Sequence, residues 1–118
     1  MIRSYRDLDI WRRAKNYAVQ IYKVTEEFPR SEVYGLGGQM RRAAVSIPSN
    51  IAEGFRRKSK KEKSHFLRVA YGSGAELETQ LEISRDLGYI DDAAYRELGR
   101  ELDEIMRMMN KAISTIEI

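Results

Sequence analysis

The sequence predicts an all-α protein, an antiparallel up-and-down bundle of four helices. Apolar residues recur at helical spacing in four long segments, and only short connections separate those segments. A chain of 118 residues is long enough to bury a core within one domain, here residues 1–118. The chain has no cysteine, so we expect neither a disulfide nor a thiolate site.

The first helix is predicted to begin near residues 4–7 and to end before Phe28 and Pro29. Helical spacing gives it an apolar face made of Trp11, Ala14, Ala18, Ile21, Tyr22, Thr25 and Phe28. Trp11 and the neighbouring tyrosines have rings that can stack on nucleic-acid bases. Because these rings share the apolar stripe, a place in the core or at a subunit interface is the favoured interpretation.

The second helix is predicted to begin with Ser31 as its N-cap. Pro48 lies inside the apolar pattern and cannot donate a hydrogen bond to the carbonyl of Ala44, which predicts a kinked helix. Three nearby polar residues either hydrogen-bond the disturbed backbone and a neighbouring helix or are simply solvated: Ser46, Ser49 and Asn50.

The same helix has more apolar surface than one flank of a bundle needs. Its core stripe consists of Leu36, Met40, Ala43, Ala44, Ile47 and Ile51. A second apolar arc extends this stripe by roughly another 100° and carries Val45, Pro48, Ala52 and Phe55. Either the helix is the most buried one of a single chain, or the second arc faces another copy of the chain. The second alternative predicts a homo-oligomer with these four residues at its interface.

The third helix is predicted from Ser59 to about Leu87, where Gly88 closes it. Small residues at positions 72–74 permit a close crossing with a neighbouring helix. Asp91 is the predicted cap of the fourth helix, whose apolar stripe consists of Tyr95, Leu98, Leu102, Ile105, Met106, Met109, Ile113 and Ile116. The central helices should be on the order of 40 Å long.

Positive charge is concentrated around the junction of the second and third helices. Residues 41–68 contain nine Lys or Arg and two acids, a net charge of +7, whereas residues 69–118 contain five and eleven, a net charge of −6. The nine cations, here called the basic corner, are Arg41, Arg42, Arg56, Arg57, Lys58, Lys60, Lys61, Lys63 and Arg68. A surface of this kind attracts polyanions.

The order of these charges along the chain favours an anionic partner. Ser59 and Glu62 have the spacing of a capping box, so residues 56–58 end one helix and three lysines open the next: Lys60, Lys61 and Lys63. The helix macrodipole favours cations at a C-terminal end and disfavours them at an N-terminal start. Ordinary surface solvation therefore explains the first group and leaves the second to be explained by a bound anion.

No constellation typical of an enzyme or a metal site is present in the sequence. His65 and Glu62 match one half of a di-iron motif, but the motif is single and the surrounding lysines repel a cation. One histidine among lysines is also weak support for a ribonuclease. Glycines at positions 35, 37 and 38 are not followed by the Lys-Ser/Thr of a phosphate loop. We therefore expect no enzyme activity, no cofactor and no metal.

The run Gln39–Gly54, QMRRAAVSIPSNIAEG, resembles the signature of the four-helix-bundle family of 23S rRNA intervening-sequence proteins. Three flanking pieces agree with it: residues 8–11, 66–73 and 87–90. Gly74 departs from the pattern, since a larger residue is expected there, and this departure predicts looser packing. The family is similar to the accessory protein of diversity-generating retroelements, a homopentamer with a basic surface. The resemblance implies a pentamer and a nucleic-acid partner, and it carries over no catalytic residue.

The sequence thus favours a homo-oligomeric helical bundle that binds RNA or DNA through phosphate contacts of the basic corner, with little sequence specificity. The alternative is a scaffold whose basic corner docks an acidic protein. A membrane surface is disfavoured, because Phe55 is the only apolar anchor beside the corner. With no apolar run near the roughly 20 residues of a membrane span and no secretory signal, we expect a cytoplasmic protein.

Overall fold

Four α-helices follow one another along the chain of the computed structural model, which describes residues 1–117: α1 (Asp9–Thr25), α2 (Leu36–Arg56), α3 (Lys60–Asp86) and α4 (Asp92–Glu117). α1 and α3 each contact both α2 and α4, so every helix has two neighbours. The molecule measures 43 × 23 × 23 Å, and its long axis matches the length of about 40 Å expected for the 27 residues of α3. The predicted all-α bundle is confirmed.

Side-chain caps explain where three of the helical segments begin. The Ser4 side chain accepts from the backbone N–H of Arg6 at the start of a 3-10 turn, Tyr5–Asp7, that precedes α1. Ser59 accepts from the N–H of Glu62 at 3.1 Å, and Asp91 accepts from the N–H of Ala94 at 2.8 Å. Both predicted caps of the last two helices are therefore confirmed. The predicted capping box is only half formed, because the Ser59 hydroxyl donates to the Glu62 carboxylate instead.

The start of α2 differs from the prediction. Ser31 lies within a 3-10 turn, Arg30–Glu32, and α2 begins only at Leu36. The capping side chain is that of Glu32, four residues before Leu36, whose carboxylate accepts from the N–H of Leu36 at 3.0 Å. Gly38 makes this turn possible, since a Cβ at that position would meet the carbonyl oxygen of Val33. Ser31 is therefore a turn residue and not the N-cap.

α2 continues as one helix through Pro48, and the kink predicted there stays a prediction. Beside the proline, the Asn50 amide donates to the carbonyl oxygen of Ser46 at 2.8 Å and to its hydroxyl at 2.9 Å. The Ser73 hydroxyl of α3 donates to the same Ser46 hydroxyl at 2.8 Å. Asn50 therefore hydrogen-bonds the backbone beside the proline, and Ser46 joins α2 to the neighbouring helix, which is the first of the two expected alternatives. Ser49 is exposed.

The core contains the apolar stripes that helical spacing predicts. Its largest fully buried apolar side chains are Tyr17, Ile21, Met40, Ile47, Ile51, Leu77, Leu81, Leu102, Ile105 and Met109. Gly74 is buried, and the side chain of Met106 occupies the space where its Cβ would lie. The expectation of looser packing at Gly74 is wrong, because a flexible methionine from α4 fills the gap.

Candidate nucleic-acid interface

The connection between α2 and α3 brings most of the basic corner to one end of the bundle. α2 ends at Arg56, and α3 begins at Lys60, so only residues 57–59 separate the two helices. The chain reverses direction here, and six cations lie within eight consecutive positions: Arg56, Arg57, Lys58, Lys60, Lys61 and Lys63. The structure nevertheless gives these cations different partners.

Arg57 is half-buried and is held by partners within the chain. Its guanidinium binds the Glu53 carboxylate at 2.9 Å, lies 3.9 Å from the Glu62 carboxylate, and stacks over the Phe66 ring at 4.8 Å. Its Nε is buried and has no hydrogen-bond partner within residues 1–117. Two carboxylates thus neutralise this cation and a ring packs against it, so Arg57 has a structural role in the corner.

Lys63 and Arg68 also have partners within the chain. The Lys63 ammonium donates to the backbone carbonyls of Phe55, at 3.0 Å, and of Gly54, at 3.5 Å. The Arg68 guanidinium binds the carboxylate of Glu117 at 2.6 to 3.0 Å, and that carboxylate also accepts from Ser64. The Arg68 hydrogen bonds, and then the Ser64 hydroxyl, lower the pKa of Glu117.

The lysines at the start of α3 have a structural explanation that the sequence pattern did not indicate. Lys60 and Lys61 line a cleft of about 310 Å³ together with Ser64, Ile116 and Glu117. The N-terminal end of α3 therefore lies beside the C-terminal end of α4, whose dipole and acidic side chain favour cations. Lys63 satisfies carbonyls at the end of α2 in the same way. The macrodipole argument for a bound anion is therefore weaker than the sequence alone suggests.

Four members of the basic corner remain exposed to solvent, and the part of the chain that the structure describes gives them no ion pair and no stacking ring: Arg42, Lys58, Lys60 and Lys61. No carboxylate of the described residues neutralises the charge of these four cations. They lie along the outward side of α2 and around the junction with α3. A bound phosphate group would form its strongest charge-assisted hydrogen bonds with these cations.

The last two members, Arg41 and Arg56, lie over aromatic rings of α1 and of the turn that precedes it. Arg41 donates to the Thr25 hydroxyl at 2.8 Å and stacks over the Tyr22 ring at 4.8 Å. Arg56 lies over the Tyr5 ring at 5.6 Å. From the sequence, Trp11 and the neighbouring tyrosines were expected in the core or at an interface, and nothing in the pattern paired them with these arginines. Only the antiparallel packing of α1 on α2 brings them together.

The four residues proposed for an oligomer interface occupy different environments. Pro48 is buried within the chain, and Phe55 and Ala52 are half-buried. Phe55 helps to line an apolar cavity of about 220 Å³ at this end of the bundle, between all four helices. Only Val45 is exposed, at 41%. Much of the second apolar arc of α2 is thus covered by α1 and the bundle end, because α2 lies between two neighbours.

His65 is exposed and meets the edge of the Phe66 ring at a centroid distance of 5.2 Å. Within residues 1–117, no group of three or more His, Cys, Asp or Glu is arranged to hold a metal ion. Over the same residues, none of the helices combines the length and the apolar composition needed to cross a membrane. The chemistry that the site offers is that of exposed cations.

Comparisons with known proteins find one family model and a solved structure of the same fold. The sequence matches the family model described as 23S rRNA-intervening sequence protein over residues 6–111. The structure is similar to a crystal structure of a protein of unknown function from the S23 ribosomal protein family of Bacteroides thetaiotaomicron, with a TM-score of 0.83 and 22% identity. That likeness covers 89% of this chain and 95% of the other, and at this identity it shows the fold alone. No curated protein matches the sequence.

Proposed function

The chain belongs to the 23S rRNA-intervening sequence protein family, and from this premise we propose that it is a non-enzymatic, homo-oligomeric protein that binds RNA or DNA. The contacts are to phosphates, and the binding depends little on base sequence. One observation carries the proposal: Arg42, Lys58, Lys60 and Lys61 are exposed and have no carboxylate partner among residues 1–117. Other exposed arginines do form ion pairs, such as Arg107 with Asp103 at 3.0 Å.

Phosphate contacts make a quantitative prediction about salt. Each phosphate that a cation neutralises releases counterions, so that log K falls with log salt by about 0.7 per contact for single strands and about 0.9 for duplex DNA. Contacts from all four exposed cations give a slope of roughly −3 to −4. Fluorescence anisotropy of a labelled mixed-sequence oligonucleotide, titrated at several salt concentrations, measures this slope directly.

The Lys60→Gln/Lys61→Gln variant tests which surface is responsible. We expect its slope to be shallower by roughly 1.5 and its affinity to be lower at every salt concentration. The matched control is Arg96→Gln/Arg100→Gln, which removes the same charge at the start of α4, the opposite end of the bundle. An affinity independent of salt, or an equal effect of both variants, would contradict phosphate binding at the basic corner.

A specific docking site for an acidic protein is the second candidate, and the same exposed cations support it. Absence of nucleic-acid binding at low salt, together with capture of an acidic polypeptide that the Lys60→Gln/Lys61→Gln variant loses, would favour this alternative. Direct titration with an oligonucleotide therefore separates the two functions. Competition between polyanions does not, because both kinds of partner bind through the same charges.

The homo-oligomeric part of the proposal rests on apolar side chains at the outer surface of α2 and α3. Val45 keeps 41% of its surface exposed, Val69 and Ile83 are exposed on α3, and Leu87 is exposed directly after it. These residues extend the predicted interface beyond the second arc of α2, of which Pro48 is already buried. Light scattering coupled to size exclusion tests the assembly, and a ring of about five subunits is the expected result. A monomer at all concentrations would overturn it.

A further inference from the structure

A row of aromatic rings, each covered by a cation, runs along the surface between α1 and α2. We define this aromatic row by three rings and the cations over them: Tyr5 with Arg6 and Arg56, Trp11 with Lys15, and Tyr22 with Arg41. The distances from cation to ring centroid lie between 4.8 and 5.6 Å. Tyr5 and Trp11 also touch each other edge to face, at 5.1 Å between centroids.

None of the four cations of the aromatic row pairs with a carboxylate in the part that the structure describes, whereas half of the chain's fourteen arginines do. Seven other arginines do form such ion pairs: Arg12, Arg13, Arg57, Arg68, Arg85, Arg100 and Arg107. The row therefore retains a positive charge that is spread over aromatic surfaces. An acidic or neutral partner is favoured here, and a second copy meeting the row through its own row would bring like charges together.

The aromatic row can bind flat, uncharged rings that are linked by anionic groups, as bases are linked by phosphates in a nucleic acid. A guanidinium that stacks on a tyrosine presents its outer plane to solvent, and both guanidinium planes and aromatic faces stack on unpaired bases. Tyr22 is 42% exposed, while Tyr5 and Trp11 are half-buried and so held in place by the bundle. Trp11 and Tyr22 lie on one helix at a separation of about 17 Å. That length accommodates several nucleotides of an extended strand.

The aromatic row is continuous with the basic corner. Arg41 and Arg56 are members of both, and Arg56 is the last residue of α2, two residues before the exposed Lys58. We propose that the aromatic row is a base-stacking surface for single-stranded RNA or DNA, while the exposed cations of the corner hold its phosphates. This inference rests on the proposed nucleic-acid binding and adds that the ligand is single-stranded. A duplex exposes its phosphates, but its bases are stacked on one another inside the helix. No base face of a duplex is therefore free to stack on the aromatic row.

The single tryptophan of the chain gives a direct readout of stacking. The full-length protein is titrated at low salt with an unstructured strand of about 16 nucleotides, the upper end of usual site sizes, made either of RNA or of DNA. A duplex and inorganic polyphosphate are titrated in parallel. We expect the single strands to quench Trp11 fluorescence and to bind at least about tenfold more tightly than the duplex. Polyphosphate should bind without quenching.

The Tyr22→Ala variant tests the row by a second route. Loss of one stacking ring should weaken single-strand binding by about tenfold and leave duplex and polyphosphate binding unchanged. Tyr22→Phe keeps the ring and should bind like the wild type. The control is Tyr71→Ala, which removes a tyrosine of similar exposure from α3, a helix that α1 does not contact. Thermal unfolding by circular dichroism confirms that each variant is folded before binding is measured.

The possible outcomes separate the two proposals. Equal binding of single strands and duplex, with no quenching and no effect of Tyr22→Ala, overturns the aromatic row and leaves the phosphate-binding function standing. Failure of every nucleic acid to bind overturns the proposed function, and the row with it. If Tyr22→Ala instead reduces the size of an oligomer in the absence of nucleic acid, the row is a subunit interface and the inference is wrong.

Discussion

The Lys63 ammonium donates a hydrogen bond to the backbone carbonyl of Phe55 at 3.0 Å, so the first turns of α3 cap the last turn of α2. The same ammonium lies 3.5 Å from the carbonyl of Gly54 and 5.7 Å from the centre of the Phe55 ring. A cation at this position satisfies carbonyls that the end of a helix leaves without partners. Charge at the basic corner therefore has two uses, to join helices and to attract anions, and individual lysines can be assigned to one or the other.

The first prediction distinguishes these uses by stability. Lys63→Met removes the hydrogen bonds to the end of α2 and should lower the free energy of unfolding by about 1 kcal/mol. Lys60→Met removes an exposed lysine and should change it by less than about 0.5 kcal/mol. Urea denaturation followed by circular dichroism measures both values. Equal stabilities of the two variants would show that the hydrogen bonds of Lys63 do not stabilise the fold.

The second prediction concerns the one tyrosine that is buried among the core residues. The Tyr17 hydroxyl donates to the carbonyl of Leu98 at 2.7 Å and so joins α1 to α4. Burial, and then the nearby Glu101 and Glu78 carboxylates, raise the pKa of Tyr17, which keeps the hydroxyl protonated. Tyr17→Phe should therefore cost about 1 kcal/mol in urea denaturation. Tyr71→Phe on the exposed side of α3 is the control, and a loss as large there would contradict the argument.

The third prediction compares two glycines of α3. Gly74→Leu forces a side chain into the space of Met106 and should destabilise the protein by about 1 to 3 kcal/mol. Gly72→Ala adds a methyl group where nothing lies within 4 Å, and it should stabilise the helix by up to about 1 kcal/mol. Thermal unfolding should therefore shift in opposite directions for the two variants. A gain in stability for Gly74→Leu would mean that the contact with Met106 is loose.

The fourth prediction concerns acid. The N–H of Leu36, and then the Tyr89 hydroxyl, donate to the Glu32 carboxylate and lower its pKa from 4.5. A pKa that is lower in the folded state adds stability above the unfolded value, and this stability is lost as the pH falls through the folded value. Glu32→Gln should therefore be less stable than the wild type at neutral pH, and the difference should shrink as the pH falls below about 4.5.

Thermal unfolding of both proteins across that pH range is the measurement. Glu27→Gln removes the same charge from an exposed position after α1 and controls for net charge. A difference between Glu32→Gln and wild type that does not change with pH would contradict the assigned role of this carboxylate.

Much of the architecture could be predicted from local pattern. The apolar spacing in the four segments, the caps at Ser59 and Asp91 and the closing Gly88, whose φ is 77°, all depend on neighbours in the chain. Where the prediction was wrong, the geometry of a turn or a flexible side chain of another helix was responsible. The start of α2 is capped by Glu32 from across a turn, and the space beside Gly74 is filled by Met106 of another helix.

The sequence by itself determined the fold class, the family and the concentration of positive charge in residues 41–68, because periodicity and charge are properties of the chain. Only the tertiary structure decided which cations have partners within the chain. Lys63 and Arg68 contact groups that helix packing brings near, Arg41 stacks on a ring of α1, and Arg56 lies over a ring of the turn that precedes α1. The reason is physical: a side chain's partners lie within a few ångströms in space, and antiparallel helices place residues far apart in sequence at that distance.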